Sequence, residues 1–418
     1  MRKMSDRIEA DYLIETPIDP ALAAEAMAGE QSSGTFVSVP GETAELRGRS
    51  AARVEALEEL EPVTSPSLPG GLQGKSYRRA KVTLSWPFGN IGADLPNLMA
   101  TVSGNLFELK QFSGLRILDM RLPDAFSAAY PGPKFGIDGT RALSGVAEGP
   151  LIGTIVKPSV GFSPAETAAL VDQLAGAGID FIKDDELQAN GPNCPFEDRV
   201  RAVMDVINAY ADRTGKKVMY AFNLTGEVDQ MRARHDLVRD LGGTCVMVSL
   251  NSVGLAGMIA LGRHTELPIH AHRNGWGYLS RAPMLGWDYR AWSKFWRLAG
   301  ADHMHVNGLG NKFSEPDDSV MMSAKSLLEP MFADHPCVTM PVFSSGQTVV
   351  QPPETYRQLG SAECIYAAGG GIMGHPDGPA AGVAALRQAW DGAIASVPAH
   401  SYAEGHTELA SALAAYSK

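Results

Sequence analysis

Lys183-Asp184-Asp185-Glu186 sets an amine and three carboxylates in four consecutive positions. Carboxylate oxygens are the donors that Mg2+ prefers, and Mg2+ keeps part of its shell for substrate oxygens and water. An Asp-Asp-Glu run commonly marks a solvated face or a helix start. Here the stretch Gly178-Ile-Asp-Phe-Ile182 leads into it, which predicts carboxylates at the end of a strand. Lys157 closes another apolar run, Leu151–Val156, and supplies a group that can add or remove a proton. His270 and His272, like His303 and His305, are expected to alternate as a strand requires, so that only one of each pair points at the mouth and the other is packed or hydrogen-bonded. Gly369-Gly-Gly-Ile-Met-Gly374 satisfies G-x-G-x-x-G but comes late in the chain. That position favours a phosphate cradle of backbone N–H groups over a dinucleotide fingerprint. Asn223-Leu224-Thr225 matches a glycosylation sequon by pattern only.

Something must bring these groups to one place. From about Gly149 onward, short β-rich runs alternate with amphipathic stretches. The strand candidates are Leu151–Val156, Asp180–Ile182, Lys217–Phe222, Thr244–Ser249, Leu267–His270, Ala301–Val306, Cys337–Phe343 and Cys364–Ala368. Helices are expected over Pro164–Ala177, Phe196–Thr214, Glu227–Leu241, Leu255–Arg263, Tyr289–Leu298, Ser319–Leu328, Glu354–Leu359 and Gly378–Ser396. Eight such units in about 250 residues predict a closed (β/α)8 barrel, with an open doubly wound sheet as the alternative. Barrel active sites lie at the C-terminal strand ends, where Lys157, Lys183–Glu186, His270–Arg273, His303–His305, Ser344–Gly346 and Gly369–Gly371 would gather. Residues 1–132 lack the rhythm and read as a separate α+β domain, with a strand at Ala80–Leu84 and a loop at Pro62–Gly74; residues 133–418 form the barrel domain.

Composition narrows the partners. Thirty-six basic against 47 acidic residues give a net charge of −11, which disfavours nucleic acid. No long apolar run predicts a membrane span, and the N-terminus has no apolar leader core, so a cytoplasmic protein is expected. Cys194, Cys245, Cys337 and Cys364 have no metal or redox spacing and read as buried thiols.

Gly178–Glu186 resembles the metal-site motif of the large subunit of ribulose-bisphosphate carboxylase (RuBisCO), and Gly153-Thr-Ile-Val-Lys157-Pro158 resembles that superfamily's catalytic-lysine motif. Gly29-Glu30-Gln-Ser-Ser-Gly34-Thr35 and Gly104-Asn105-Leu-Phe107 resemble the N-terminal-domain contributions to its site. Ala301–His305 with Lys312 resembles its sixth barrel strand and mobile loop, and Gly369–Pro376 its last phosphate motif. The resemblance covers nearly the whole chain and implies a C-terminal (β/α)8 barrel with a ferredoxin-like N-terminal domain. It implies that Lys183 reacts with CO2 to form a carbamate, which with Asp185 and Glu186 holds Mg2+. Lys157 would transfer protons, and His272 and Lys312 complete the catalytic candidates. Arg273, His305 and Ser345 would hold the distal end of the substrate; Thr35, Lys312, Gly369, Gly370 and Gly371 would hold the proximal phosphate. Glu30 and Asn105 of one subunit would cover the barrel of another, implying a homodimer with shared sites.

The departures from the carboxylases set the expected subtype. Ser159 stands where they have a second lysine, Leu187 where they have asparagine, Trp276 where they have histidine, and Gln347 where they have a phosphate-binding glycine. The loop Val306–Lys312 also differs. These changes imply a RuBisCO-like protein without true carboxylase activity, acting on a substrate with one phosphate. Ile269–Gly277 and His305–Phe313 look closest to RuBisCO-like proteins of branched-sugar-acid catabolism. The expected reaction is decarboxylation of 3-oxo-isoapionate 4-phosphate through a Mg2+-stabilised enediolate. Alternatives are a transcarboxylase/hydrolase on that substrate, and an enolase or isomerase of a methylthio-pentose phosphate using Trp276 or Phe313 as an apolar lining. A non-catalytic regulatory protein is the remaining one.

Overall fold

The computed structural model describes residues 7–34 and 39–417; the candidate Thr35 lies outside them. The chain divides into two compact units, Met1–Pro131 with Gly275–Leu298, and Gly132–Asn274 with Ala299–Lys418. In chain order the strands are β1 (Arg7–Thr16), β2 (Arg53–Val63), β3 (Tyr77–Pro87), β4 (Gly114–Arg121), β5 (Leu151–Ile155), β6 (Phe181–Lys183) and β7 (Met219–Asn223). They continue with β8 (Cys245–Ser249), β9 (Ile269–His272), β10 (Leu285–Trp287), β11 (His303–Asn307), β12 (Met340–Phe343) and β13 (Ile365–Ala367).

The first unit holds a sheet of order β10-β4-β1-β3-β2. Ile8, Ala10, Tyr12 and Ile14 alternate along β1 and bury one face, the period of two that a half-covered strand requires. The helix Pro20–Glu30 buries Ala23, Ala24, Met27 and Ala28; Asp19 caps it by accepting from Ala21 N–H at 2.8 Å. The expected strand at Ala80–Leu84 lies within β3, and Pro62–Gly74 runs mostly exposed from the end of β2. The later segment joins this unit because β10 pairs in parallel with β4. Three residues are too few for alternation to announce a strand, and β10 is not legible in the sequence.

The second unit is a closed parallel barrel of order β11-β12-β13-β5-β6-β7-β8-β9. Pairing of the last strand with the first, Ile365 opposite Leu151, excludes the open-sheet alternative. Its strands overlap the expected ones to within a few residues. The first barrel helix, Pro164–Gly176, starts at a capping box in which Ser163 Oγ accepts from Glu166 N–H and Glu166 accepts from Ser163 N–H. Leu170 and Leu174 bury its apolar stripe. Leu151, Phe181, Met219, Cys245, Met247, Met340 and Ile365 belong to one buried core cluster. A Cβ on Gly153 would lie 3.0 Å from Phe181 Cδ1, so the missing side chain admits that ring.

Before β11, fully buried Asp302 accepts from Phe135, Gly136 and Ile269 N–H groups at 2.8 Å each. Burial outweighs those hydrogen bonds and pushes its carboxyl up to about 6. All four cysteines are free and buried, as expected. Among the described residues no helix is long and apolar enough to cross a membrane.

Candidate active site

β6 carries the central motif to the barrel's C-terminal rim. Lys183 is fully buried, donates from Nζ to Asp184 O at 2.7 Å, and lies 3.8 Å from Glu186 Oε2. Burial lowers the pKa of its amine, against the opposing pull of the Glu186, Asp185 and Asp184 charges. The three acids divide. Asp184 turns into the wall, accepting from Tyr220 OH (2.6 Å), Asn223 N–H (2.8 Å) and Arg199 Nη2 (3.1 Å). Asp185 and Glu186 remain as the candidate ligands.

Asp185 Oδ2 accepts from Lys157 Nζ at 2.7 Å, and Lys157 also donates to Ser159 Oγ at 2.7 Å. Burial raises the Asp185 carboxyl, but the Lys157 hydrogen bond, the Leu187 N–H and nearby Lys183 outweigh it and leave it lowered. Strands β5 and β6 are paired neighbours, which is why Lys157 reaches the motif. A Cβ on Gly369 would lie 3.8 Å from Lys157 Cε, so the glycine turn after β13 flanks the same lysine. Gly369–Met373 forms a single helical turn there, with Gly369 and Gly371 buried.

The donor set fits Mg2+ with one chemical change. Two carboxylates and a buried amine lie together, but an ammonium cannot ligate a cation. A carbamate on Lys183 would convert the set to oxygen donors.

The histidines correct one piece of strand reasoning. Residues two apart share a face, so both members of each pair point inward and differ in height along the barrel. Lowest, His303 Nε2 meets Thr140 Oγ1 at 2.7 Å. His270 and His305 join through their Nε2 atoms at 2.8 Å, and His305 Nδ1 meets Ser344 Oγ at 3.0 Å. The His272 and His305 ring centroids lie 4.5 Å apart, and His272 Nε2 is 3.6 Å from Glu186 Oε2. His272 Nδ1 lies 3.2 Å from Asn274 N and 3.3 Å from Asn274 Oδ1, so Asn274 fixes the ring with its Nε2 edge toward Glu186. Burial, with the nearby Lys183 charge, lowers the pKa of His272 to about 4. His305 and His272 therefore stand toward the rim while His303 and His270 are packed below.

Around the rim, Arg273 pairs with Glu315 at 2.5 Å, and Ser345 donates to Asn307 Oδ1 at 2.9 Å. Lys312 is exposed, its Nζ 5.3 Å from the Phe313 ring centroid. Gln347 is a strut: buried, it donates to Leu309 O at 3.0 Å and accepts from Tyr366 OH at 3.2 Å. In the first unit, Glu30 and Asn105 are both exposed, with the Gln31 side-chain oxygen accepting from Asn105 N–H at 3.0 Å. Trp276 is buried there against Tyr289 and Trp292.

Two residues at the site were not recognised in the sequence. Fully buried Asn223 donates from Nδ2 to Asp185 O (3.2 Å) and Glu186 O (3.3 Å), holding the backbone of the motif. Its place at the end of the third barrel strand was the available signal. Glu315, in the loop after β11, had none. A further cluster, His235, Asp236 and His264, also brings three donor side chains together. His235 Nε2 accepts from Glu266 N–H, so Nδ1 carries the proton and donates to Asp236; this is a hydrogen-bonded tie between helices.

Residues 136–416 match the family model described as ribulose bisphosphate carboxylase large chain, catalytic domain, and residues 8–126 match that family's N-terminal domain. The chain is 59% identical to a 3-oxo-isoapionate-4-phosphate transcarboxylase/hydrolase of Xanthobacter autotrophicus, over 98% of this chain and 99% of that one. It is 46% identical to a 3-oxo-isoapionate-4-phosphate decarboxylase of Rhizobium rhizogenes, over 98% of each. A rubisco-like protein of Burkholderia fungorum, solved as a crystal structure, matches with a TM-score of 0.93 at 48% identity, covering 98% of this chain and 100% of that one.

Proposed function

The chain belongs to the ribulose bisphosphate carboxylase large-chain family as a RuBisCO-like protein, and from that premise we propose that it removes the carboxyl group of 3-oxo-isoapionate 4-phosphate. The observation that carries this reading is the convergence of Lys157, Asp185, Glu186 and buried Lys183 at the ends of two paired strands. As its carbamate, Lys183 would hold Mg2+ with Asp185 and Glu186, and the ion would supply Lewis-acid stabilisation of charge developing on the substrate. Lys157, oriented by Ser159 and Asp185, delivers a proton from Nζ to the carbon that has lost CO2. Lys312 and the Gly369–Gly371 turn receive the phosphate in this reading. Ser159, in the position of the carboxylases' second lysine, orients Lys157 and leaves no amine to assist CO2 addition. Glu30 and Asn105, exposed in the first unit, would complete the site of a second copy in a homodimer.

A second reading shares the substrate. The 59% identity to a transcarboxylase/hydrolase exceeds the 46% to a decarboxylase, and favours a route in which the carboxyl is passed on and the product hydrolysed. Substrate labelled with 13C in the carboxyl group separates the two. Decarboxylation releases the label as CO2; carboxyl transfer retains it in an organic acid. No consumption of substrate with Mg2+ and bicarbonate supplied would refute both.

A further inference from the structure

The substrate's distal end is where Arg273, His305 and Ser345 were expected to act, and two of these side chains run into one part-buried network. Glu315 Oε2 accepts from Arg273 Nη2 at 2.5 Å and from Asn307 Nδ2 at 2.7 Å, while its Oε1 accepts from Ser319 Oγ at 2.9 Å. Asn307 Oδ1 then accepts the Ser345 hydroxyl proton at 2.9 Å. The Arg273 side chain is 5% exposed and that of Glu315 13%, so water screens the pair weakly. Asn307 and Ser345 both have left-handed backbones, at φ 67° and 70°, which residues with a Cβ seldom adopt. Such conformations persist where surrounding contacts over-determine them, here the Asn307 side chain, which links the ends of β11 and β12 through Ser345 and is itself held by Glu315. Glu315 also anchors the segment carrying Lys312, since its carbonyl accepts from Asn311 Nδ2 at 3.1 Å.

We propose that Glu315 is a specificity-determining residue: by neutralising Arg273 it turns the distal end into a subsite for an uncharged, hydroxylated group and disfavours a second phosphate. The inference rests on the proposed sugar-acid reading and adds the polarity of the substrate's far end. A phosphate dianion brought to Arg273 meets the Glu315 carboxylate beside it and must compete for the same guanidinium. A hydroxyl faces no such repulsion.

Calorimetric titration of the full-length protein with a pentitol 5-phosphate and the matching pentitol 1,5-bisphosphate tests this. Wild type should bind the bisphosphate no more tightly than the monophosphate. Glu315→Gln keeps the side-chain shape without its charge, and should tighten bisphosphate binding on the order of tenfold while moving the monophosphate far less. A wild-type preference of about tenfold for the bisphosphate would overturn the proposal. So would a folded Glu315→Gln protein with no gain; if that variant does not fold, the wild-type ratio decides alone. Turnover of the sugar-acid phosphate, measured in parallel, separates the two readings. Monophosphate preference without turnover refutes only the function; turnover with bisphosphate preference refutes only the role of Glu315.

Discussion

Between about pH 6 and 5 the protein should lose stability steeply, because its barrel interior holds imidazoles that resist protonation while folded. His270, His303 and His305 are at most 4% exposed. Burial lowers the pKa of His303 to about 3, and burial with neighbouring positive charge holds His270 and His305 well below the usual range. In the unfolded chain these groups titrate near ~6.5, so below that pH the unfolded state binds more protons than the folded one. Stability is therefore full above that value and falls as pH falls. The slope is ~1.4 kcal/mol per pH unit for each histidine, however far its folded value lies below the window. His272, at about 4, adds a fourth in metal-free protein. Asp302 acts in the opposite sense: raised to about 6 from 3.8, it takes up a proton in the folded state as pH falls. The balance is about three protons, or ~4 kcal/mol per pH unit, a large share of the ~5–15 kcal/mol that ordinarily separates folded from unfolded domains. Urea unfolding in EDTA at about pH 7, 6 and 5, followed by tryptophan fluorescence, measures that slope. His303→Gln should remove about one proton from it, whatever the variant's stability at neutral pH. Stability that stays flat across this range, or a slope unchanged in the variant, would refute the reasoning.

Three other outcomes follow from the geometry. Lys157→Ala should lower turnover by about 10²–10⁴-fold and abolish deuterium incorporation at the decarboxylated carbon, with phosphate binding nearly intact; wild-type rates would remove Lys157 from the mechanism. Asn223→Ala frees two carbonyls of the metal motif and should raise the Mg2+ concentration for half-maximal activity by roughly 10–100-fold, read from a Mg2+ titration in which an unchanged midpoint counts against it. Asp302→Asn sets an amide N–H against a backbone N–H inside the barrel and should cost about 2–3 kcal/mol by urea denaturation; a loss under about 0.5 kcal/mol would contradict that hydrogen-bond assignment.

Much of the molecule was legible because its signals are local. Each barrel strand is a short apolar run between helical stretches, so period and spacing put Lys183–Glu186 at a strand end, and the family resemblance singled out Lys183, Asp185 and Glu186 within that run. Lys157 could be placed beside them because neighbouring barrel strands come from neighbouring βα units. Tertiary structure decided what depends on height, register or a distant partner. The resemblance had named Asp185 and Glu186, and the fold supplies the physical reason that Asp184 stands apart: it is buried against Arg199 and Tyr220. Only the fold stacks histidines from β9 and β11 into one column, since pairing sets His303 opposite His270 and raises His305 above it. Gln347 could be noted as a missing glycine, but its work as a strut needs Leu309 and Tyr366, brought from other strand ends. Glu315 shows the limit best. A glutamate in a polar loop is indistinguishable in sequence from any solvated acid, and it gains meaning only when Arg273, 42 positions earlier, is folded against it.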